Sequence, residues 1–239
     1  MRRFSVISLT LAASAALISS QVLAAIYKTS HQMSGFSTDS RYYIYLESYR
    51  NAATDVPKAK LQIINLPRNT CIENGCLETE YTDEARETAP SLTTKSAENQ
   101  LLKKTSVIRY NLKLNRPAPG RKLPVLSRKT NSDGSETYTF ILNDKKEKLE
   151  VLMQQKYIPS VAYGGNAEVD RAALRLEVTA NYRKRTLSTL NNYRQNAMKY
   201  TLREVRLAPN GRSVAIIMNM MQPNEQGALQ TTLVQSSPL

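Results

Sequence analysis

Histidine is almost missing from this chain: His31 is the only one among 239 residues, and Cys71 and Cys76 are the only cysteines. A Ser-His-Asp or Cys-His centre would therefore have to use His31. That residue sits in Ser30-His-Gln-Met33, and no Gly-x-Ser-x-Gly turn occurs anywhere in the chain. It reads as an ordinary polar residue at the start of the first strand. Metal-assisted hydrolysis asks for several imidazoles or clustered carboxylates, which the sequence does not offer. No phosphate-cradling glycine loop is present either, so neither a metal nor another cofactor is expected. The stretch Asn131-Ser-Asp-Gly-Ser-Glu136 has a faint calcium-loop look but lacks the alternating acids and the distant bidentate glutamate. It reads as a hairpin turn. Long apolar runs are absent beyond residue 24, and a bilayer span needs roughly 20 such residues.

The first residues do carry an apolar run, of a different kind. Met1-Arg2-Arg3 is a positive start, Ile7 to Ile18 is uncharged and rich in Leu, Ile and Ala, and Val22-Leu23-Ala24 places small side chains at −3 and −1. This is the pattern of a Sec-type bacterial signal peptide cut before Ala25. Residues 1–24 are read as the leader and 25–239 as a single mainly β domain, periplasmic or secreted. Loss of Arg2 and Arg3 takes the formal charge from +13 to +11. Outside the cytoplasm nucleic acid is not the expected partner of so basic a surface. The envelope offers other polyanions, among them lipid headgroups, lipopolysaccharide phosphates and wall polymers.

Two cysteines with four residues between them in an exported chain point to a disulfide, Cys71–Cys76. Asn74-Gly75 between them is a tight-turn dipeptide, so the expected picture is a hairpin tip closed by the bridge.

Strand signals dominate the rest, and the expected class is mainly β, an antiparallel sheet or sandwich with one helical excursion (α+β is the alternative). Arg41 to Tyr49 is rich in aromatic and β-branched residues, and Lys60 to Leu66 is its expected partner. Ile108, Tyr110, Leu112 and Leu114 alternate with polar residues, as do Leu174, Leu176, Val178, Ala180 and Tyr182. Thr137 to Leu142, Leu149 to Met153, Val214 to Met220 and Leu229 to Val234 complete the predicted strands. Between Thr82 and Lys104 the composition turns to Glu, Ala, Lys and Gln, with Leu92, Ala97 and Leu101 at helical spacing; a helix interrupted near Pro90 is predicted. Arg116 to Arg121 and Tyr163 to Asn166 read as turns, too short to separate independent domains.

One local pattern occurs twice. Gly35-Phe-Ser-Thr-Asp-Ser-Arg41 leads into Tyr42-Tyr-Ile-Tyr-Leu46, and Arg206-Leu-Ala-Pro-Asn-Gly-Arg212 leads into Ser213-Val-Ala-Ile-Ile217. Each is a tight reversal whose arginine starts the outgoing strand. Propeller blades use such an element about every 40 residues; nothing between residues 50 and 200 repeats it here, so a regular propeller is rejected. The two hairpins are expected to be adjacent, as neighbours in one sheet. With the Ala85-Arg86 segment and Val205 to Ala215, these motifs resemble a bacterial family of predicted secreted proteins known as a domain of unknown function. Thr38-Asp39-Ser40 departs from the usual Pro-Asp-Gly. The resemblance implies secretion and brings no catalytic residues with it.

Two surface features remain. Tyr43, Tyr45, Glu47 and Tyr49 share one face of the first long strand; if Ile44 and Leu46 face the core, the tyrosines could hold a sugar ring or a partner. Arg183-Lys184-Arg185, with Arg171, Arg175 and Arg194 nearby in sequence, is a cationic cluster suited to phosphate or carboxylate. The residues point to binding rather than catalysis: an envelope protein contacting an anionic component or a protein partner. The alternatives are a hydrolase of wall or sugar substrates, with Glu47 the carboxylate to inspect, and a structural or assembly subunit.

Overall fold

A computed structural model describes residues 25–52, 54–79, 81–82, 91–144 and 146–239. The predicted leader and the segment around Ala85, Arg86 and Pro90 lie outside them. Among the described residues the strands form three sheets. Strands β1 (Ala25–Lys28) and β2 (Ser30–Phe36) diverge at once, because β1 joins the C-terminal strands. β2, β3 (Tyr42–Arg50), β4 (Pro57–Asn65) and β5 (Thr70–Glu78) make an antiparallel meander. Helix α1 (Thr94–Lys104) and the short α2 (Ser106–Asn111) follow. β6 (Arg121–Lys122) leads to β7 (Val125–Thr130), β8 (Glu136–Ile141), β9 (Lys148–Ile158), β10 (Arg171–Ala180), β11 (Arg183–Ser188) and β12 (Tyr193–Gln195). Of these, β7 to β12 form the second sheet. β13 (Lys199–Leu207), β14 (Ser213–Asn224) and β15 (Gly227–Pro238) make the third, with β6 along β13 and β1 parallel to β15.

The third sheet lies between the other two. Val214, Ile216, Met218 and Met220 meet Phe140, Val151, Leu176 and Val178 of the β7–β12 sheet. The intervening Ala215 and Ile217 face the other way and pack on Phe36, Tyr43 and Tyr45 of the meander. This explains the unbroken apolar run in β14: a strand covered on both faces has no polar side to alternate with. The meander is likewise covered twice, since Ile44, Leu46, Leu61 and Ile63 pack on Ala97 and Leu101 of α1. That helix opens on Thr93, whose side chain accepts from the Ser96 N–H while the Ser96 hydroxyl bonds back to the Thr93 N–H.

Three expectations change. The alternation from Ile108 to Leu114 is not a strand. Residues 106–111 are helical, because Ile108 and Leu112, four apart, turn together toward the α1 side of the meander, where Leu114 is also buried. The two repeated turns are adjacent but lie in different sheets, facing each other through Phe36, Tyr43, Ala208 and Ala215. Their likeness is real at the backbone: Ser40 has φ 56° and Gly211 φ 71°, the same left-handed exit. The Cys71–Cys76 disulfide is present, but at the neck of a bulge inside β5 rather than at a hairpin tip. Cys76 pairs with Gln62 and Cys71 with Ile64, so residues 72–75 swing out opposite Ile63 alone. Asn74 takes the positive φ (55°) that this excursion requires.

Arg116 to Arg121 is stitched into the body instead of spanning a gap. Ala118 exchanges hydrogen bonds with Phe36, and Gly120 lies so close to the Phe36 ring that an added Cβ would stand 2.4 Å from Cε2.

Candidate functional site

β10 ends at Ala180, and Asn181-Tyr182, both at positive φ (50° and 61°), reverse the chain in a two-residue hairpin. Tyr182, placed by its alternation inside the strand, is a fully exposed turn residue. The register sets Arg183 opposite Ala180, Lys184 opposite Thr179 and Arg185 opposite Val178. A period of two therefore divides the cationic cluster between the faces of the sheet. Lys184 lies on the outer face, its ammonium 2.6 Å from Glu177 Oε2, and Arg175 bonds the same carboxylate. Burial pushes the Glu177 carboxyl up, but the bonds from Lys184 and Arg175 outweigh it and hold the group below its usual 4.5. Lys184 is thus spent on a neighbour.

Arg183 and Arg185 have no hydrogen-bond or ion-pair partner among the described residues and lie on the other face. Arg185 shares a groove of about 530 Å³ with Arg68, Asn69, Thr70, Leu187 and Ser236. Asn69 holds the groove together at the junction of all three sheets. In the turn between β4 and β5, at φ 54°, it donates to the Leu187 carbonyl of β11 (3.3 Å) and to Gln235 Oε1 of β15 (2.9 Å). Its Oδ1 accepts from the Ser236 N–H at 2.7 Å. A second hollow, of about 400 Å³, continues from Asn69 and Leu187 to Tyr193, Arg194 and Tyr200. It opens where the chain leaves the β10 edge between β11 and β12, both of which pair with β10. Burial raises the Tyr200 phenol pKa and the Arg194 guanidinium beside it opposes that shift. Three guanidinium groups, from Arg68, Arg185 and Arg194, thus line one trough. Arg194 was within view of the sequence as a neighbour of the cluster; Arg68 and Asn69 were not, because nothing in the chain links position 68 to position 185.

The tyrosine face is placed elsewhere. Tyr43 is 0 % and Tyr45 1 % exposed, enclosed between the meander and the central sheet. Tyr43 meets Phe36 edge-on at 4.7 Å, and burial pushes its phenol up to about 12. The Tyr45 hydroxyl accepts from Arg203 Nη2 at 2.8 Å. Neither presents a ring to a ligand. Tyr49 alone reaches a surface hollow, its hydroxyl donating to Glu78 Oε1 at 2.8 Å. Glu47, the carboxylate singled out for hydrolysis, is fully buried and accepts from the Thr29 hydroxyl (2.7 Å), the Thr232 N–H (2.9 Å) and the Thr232 hydroxyl (2.6 Å). A carboxylate so enclosed cannot exchange a proton with an outside substrate.

His31 lies exposed on β2, with Nε2 3.0 Å from Ser34 Oγ. That contact has the spacing of a nucleophile and base, yet among the described residues no carboxylate bonds the other ring nitrogen to orient it. Among the described residues no group of three His, Cys, Asp or Glu side chains is placed to hold a metal ion. None of their helices is long and apolar enough to cross a membrane.

A family model described as "Predicted secreted protein (DUF2259)" matches residues 46–236, which run from the middle of β3 through β4, β5, both helices and the β7–β12 sheet to near the end of β15. No curated protein and no solved structure matches the chain.

Proposed function

Because the chain belongs to this family of predicted secreted proteins, we propose that it is an exported binding protein, with residues 1–24 as its cleaved leader, that holds an anionic component of the cell envelope in the Arg68–Arg185 trough. The observation that carries this reading is the meeting in one groove of Arg68, from the β4–β5 turn, and Arg185, from β11, neither with a side-chain partner among the described residues. Guanidinium groups offer paired N–H donors that fit phosphate or carboxylate oxygens bidentately. Their framework is rigid, since Asn69 bonds both flanking strands. The formal charge of the whole chain, +13, favours the approach of a polyanion over a neutral ligand.

The test is co-sedimentation of the purified secreted protein with isolated membranes and wall sacculi at low and high salt. Binding is expected to fall as the Debye length shrinks from about 10 Å at 0.1 M salt to about 3 Å at 1 M. Arg68→Ala and Arg185→Ala should each weaken the low-salt binding severalfold, and together abolish it. Lys184→Ala, whose partner is Glu177, should change it little. Binding that survives high salt, or that Lys184→Ala weakens as much as Arg185→Ala, would remove the trough from the explanation.

A further inference from the structure

A two-residue turn with both central residues at positive φ is ordinarily closed by Asn-Gly, because asparagine tolerates the left-handed region and glycine has no side chain to clash there. The β10–β11 turn keeps the asparagine, Asn181 at φ 50°, but has Tyr182 at φ 61° in the second place. A bulky residue in that region carries a backbone cost that glycine would avoid. Nothing among the described residues offsets it. The ring is fully exposed and packs in none of the three cores, and its hydroxyl bonds no other described residue. A strained and exposed aromatic side chain points to a contact outside the chain.

The surroundings of the tip fix the sign of that contact. Arg183 follows the ring directly, and Arg185, in the trough, stands about 10 Å back along the strand. Neither has a partner among the described residues. Of the acids nearby in the ladder, Glu177 is held by Arg175 and Lys184, and Glu150 lies opposite Thr179. The adjoining β8–β9 hairpin sets Asp144 and Glu147 beside Lys146 and Lys148, so the excess of positive charge comes from the β10–β11 hairpin itself. A two-residue tip offers far less than the roughly 800 Å² per partner of an ordinary protein interface. It does match the headgroup layer of a bilayer, where tyrosine settles between water and hydrocarbon and arginines meet lipid phosphates. A ring at that boundary leaves Arg183 and Arg185 within about 10 Å of it, the depth over which interfacial segments contact headgroups.

We propose that the β10–β11 tip inserts Tyr182 into an anionic phospholipid surface, with Arg183 on a lipid phosphate beside it. The proposal deepens the trough reading by naming its anion, and rests on that reading for the second headgroup that Arg68 and Arg185 hold.

The test uses the purified secreted protein and two kinds of vesicle, phosphatidylcholine alone and an equimolar mixture with phosphatidylglycerol. The chain contains no tryptophan, so Tyr182→Trp introduces a single indole at the tip. Its emission should move to shorter wavelength and resist acrylamide quenching with the mixed vesicles, and stay unchanged with phosphatidylcholine alone. Tyr182→Gly removes the backbone cost and should unfold no earlier than the parent on heating, yet bind the mixed vesicles severalfold more weakly. A tyrosine that served only the turn would lower stability on replacement and leave vesicle binding alone. Arg183→Ala should weaken binding about fivefold, the effect of one basic residue near an anionic leaflet. An unshifted indole on vesicle-bound protein, or Tyr182→Gly binding as tightly as the parent, would overturn the tip and leave the trough reading intact. Absence of binding to the mixed vesicles would overturn it too, while binding to sacculi would then keep the trough. If Tyr182→Gly loses binding but the paired Arg68→Ala and Arg185→Ala variant binds like the parent, the trough reading falls and the tip stands.

Discussion

Glu47 shows how much one buried side chain can hold together. Its carboxylate spans from the meander to β15 of the central sheet, accepting a backbone N–H and a hydroxyl from Thr232 and a second hydroxyl from Thr29. Replacement by leucine would leave those donors without acceptors in a site closed to water, at a cost of about 2–4 kcal/mol. Glutamine keeps one acceptor oxygen and should cost less. Urea unfolding followed by circular dichroism separates the two; equal midpoints for Glu47→Leu and the parent would show that the bonds do not bridge the layers. The sequence marked Glu47 as the carboxylate to inspect but left open whether its face was exposed or covered, since a single strand cannot reveal what lies against its second side. The same holds for Tyr43 and Tyr45. The Arg183-Lys184-Arg185 cluster was legible as charge, whereas its division into a paired lysine and two arginines with no partner among the described residues depends on the register with β10 and on Glu177.

Among the elements, those with strict alternation and a single buried face were the most legible: β10 buries Leu174, Leu176, Val178 and Ala180 as its pattern predicts. α1 was legible from Ala97 and Leu101, both buried on the meander. The residues after it were not, because Ile108, Tyr110 and Leu112 satisfy both a period of two and a spacing of four. What separates the readings is exposure: Val107 and Tyr110 stay in solvent at 69 % and 72 % while Ile108 and Leu112 turn inward. The bulge in β5 is an element of its own kind, four residues held out from a ladder by a covalent neck. Closing so short a loop restrains the unfolded chain modestly, by about 2 kcal/mol on the chain-entropy view. The double variant Cys71→Ala/Cys76→Ala should therefore unfold at lower urea than the oxidised parent. Reductant should shift the parent toward the variant and leave the variant itself unmoved. Coincident midpoints for oxidised and reduced parent would show that the bridge adds nothing to the bulge's own packing.

At the scale of the whole molecule, the described residues form three sheets and two helices around three apolar cores, and the middle sheet serves two of them. Sequence patterning predicts a sheet or sandwich because it counts faces one strand at a time; a layered stack requires knowing that Ala215 and Ile217 face one neighbour while Val214 and Ile216 face the other. The trough at Asn69 is a product of that stacking, which is why its members are scattered from position 68 to position 236. β15 is the strand on which the layers converge. Leu233 enters one core and Val234 the next, Thr232 bonds Glu47, and Ser236 bonds Asn69. Among the described strands it is also the last to be made. The earlier strands thus have local partners but no finished interior until residues 227–238 arrive, so the layers can close only after β15 has left the ribosome. A chain ending before Leu229 should retain β-type far-ultraviolet circular dichroism, lose its tyrosine near-ultraviolet signal and bind ANS dye; cooperative unfolding of that fragment would show that closure comes earlier. For an exported protein this lateness has a use. Translocation needs a thread, and a fold that waits for residues 227–238 stays a thread until that strand has been made.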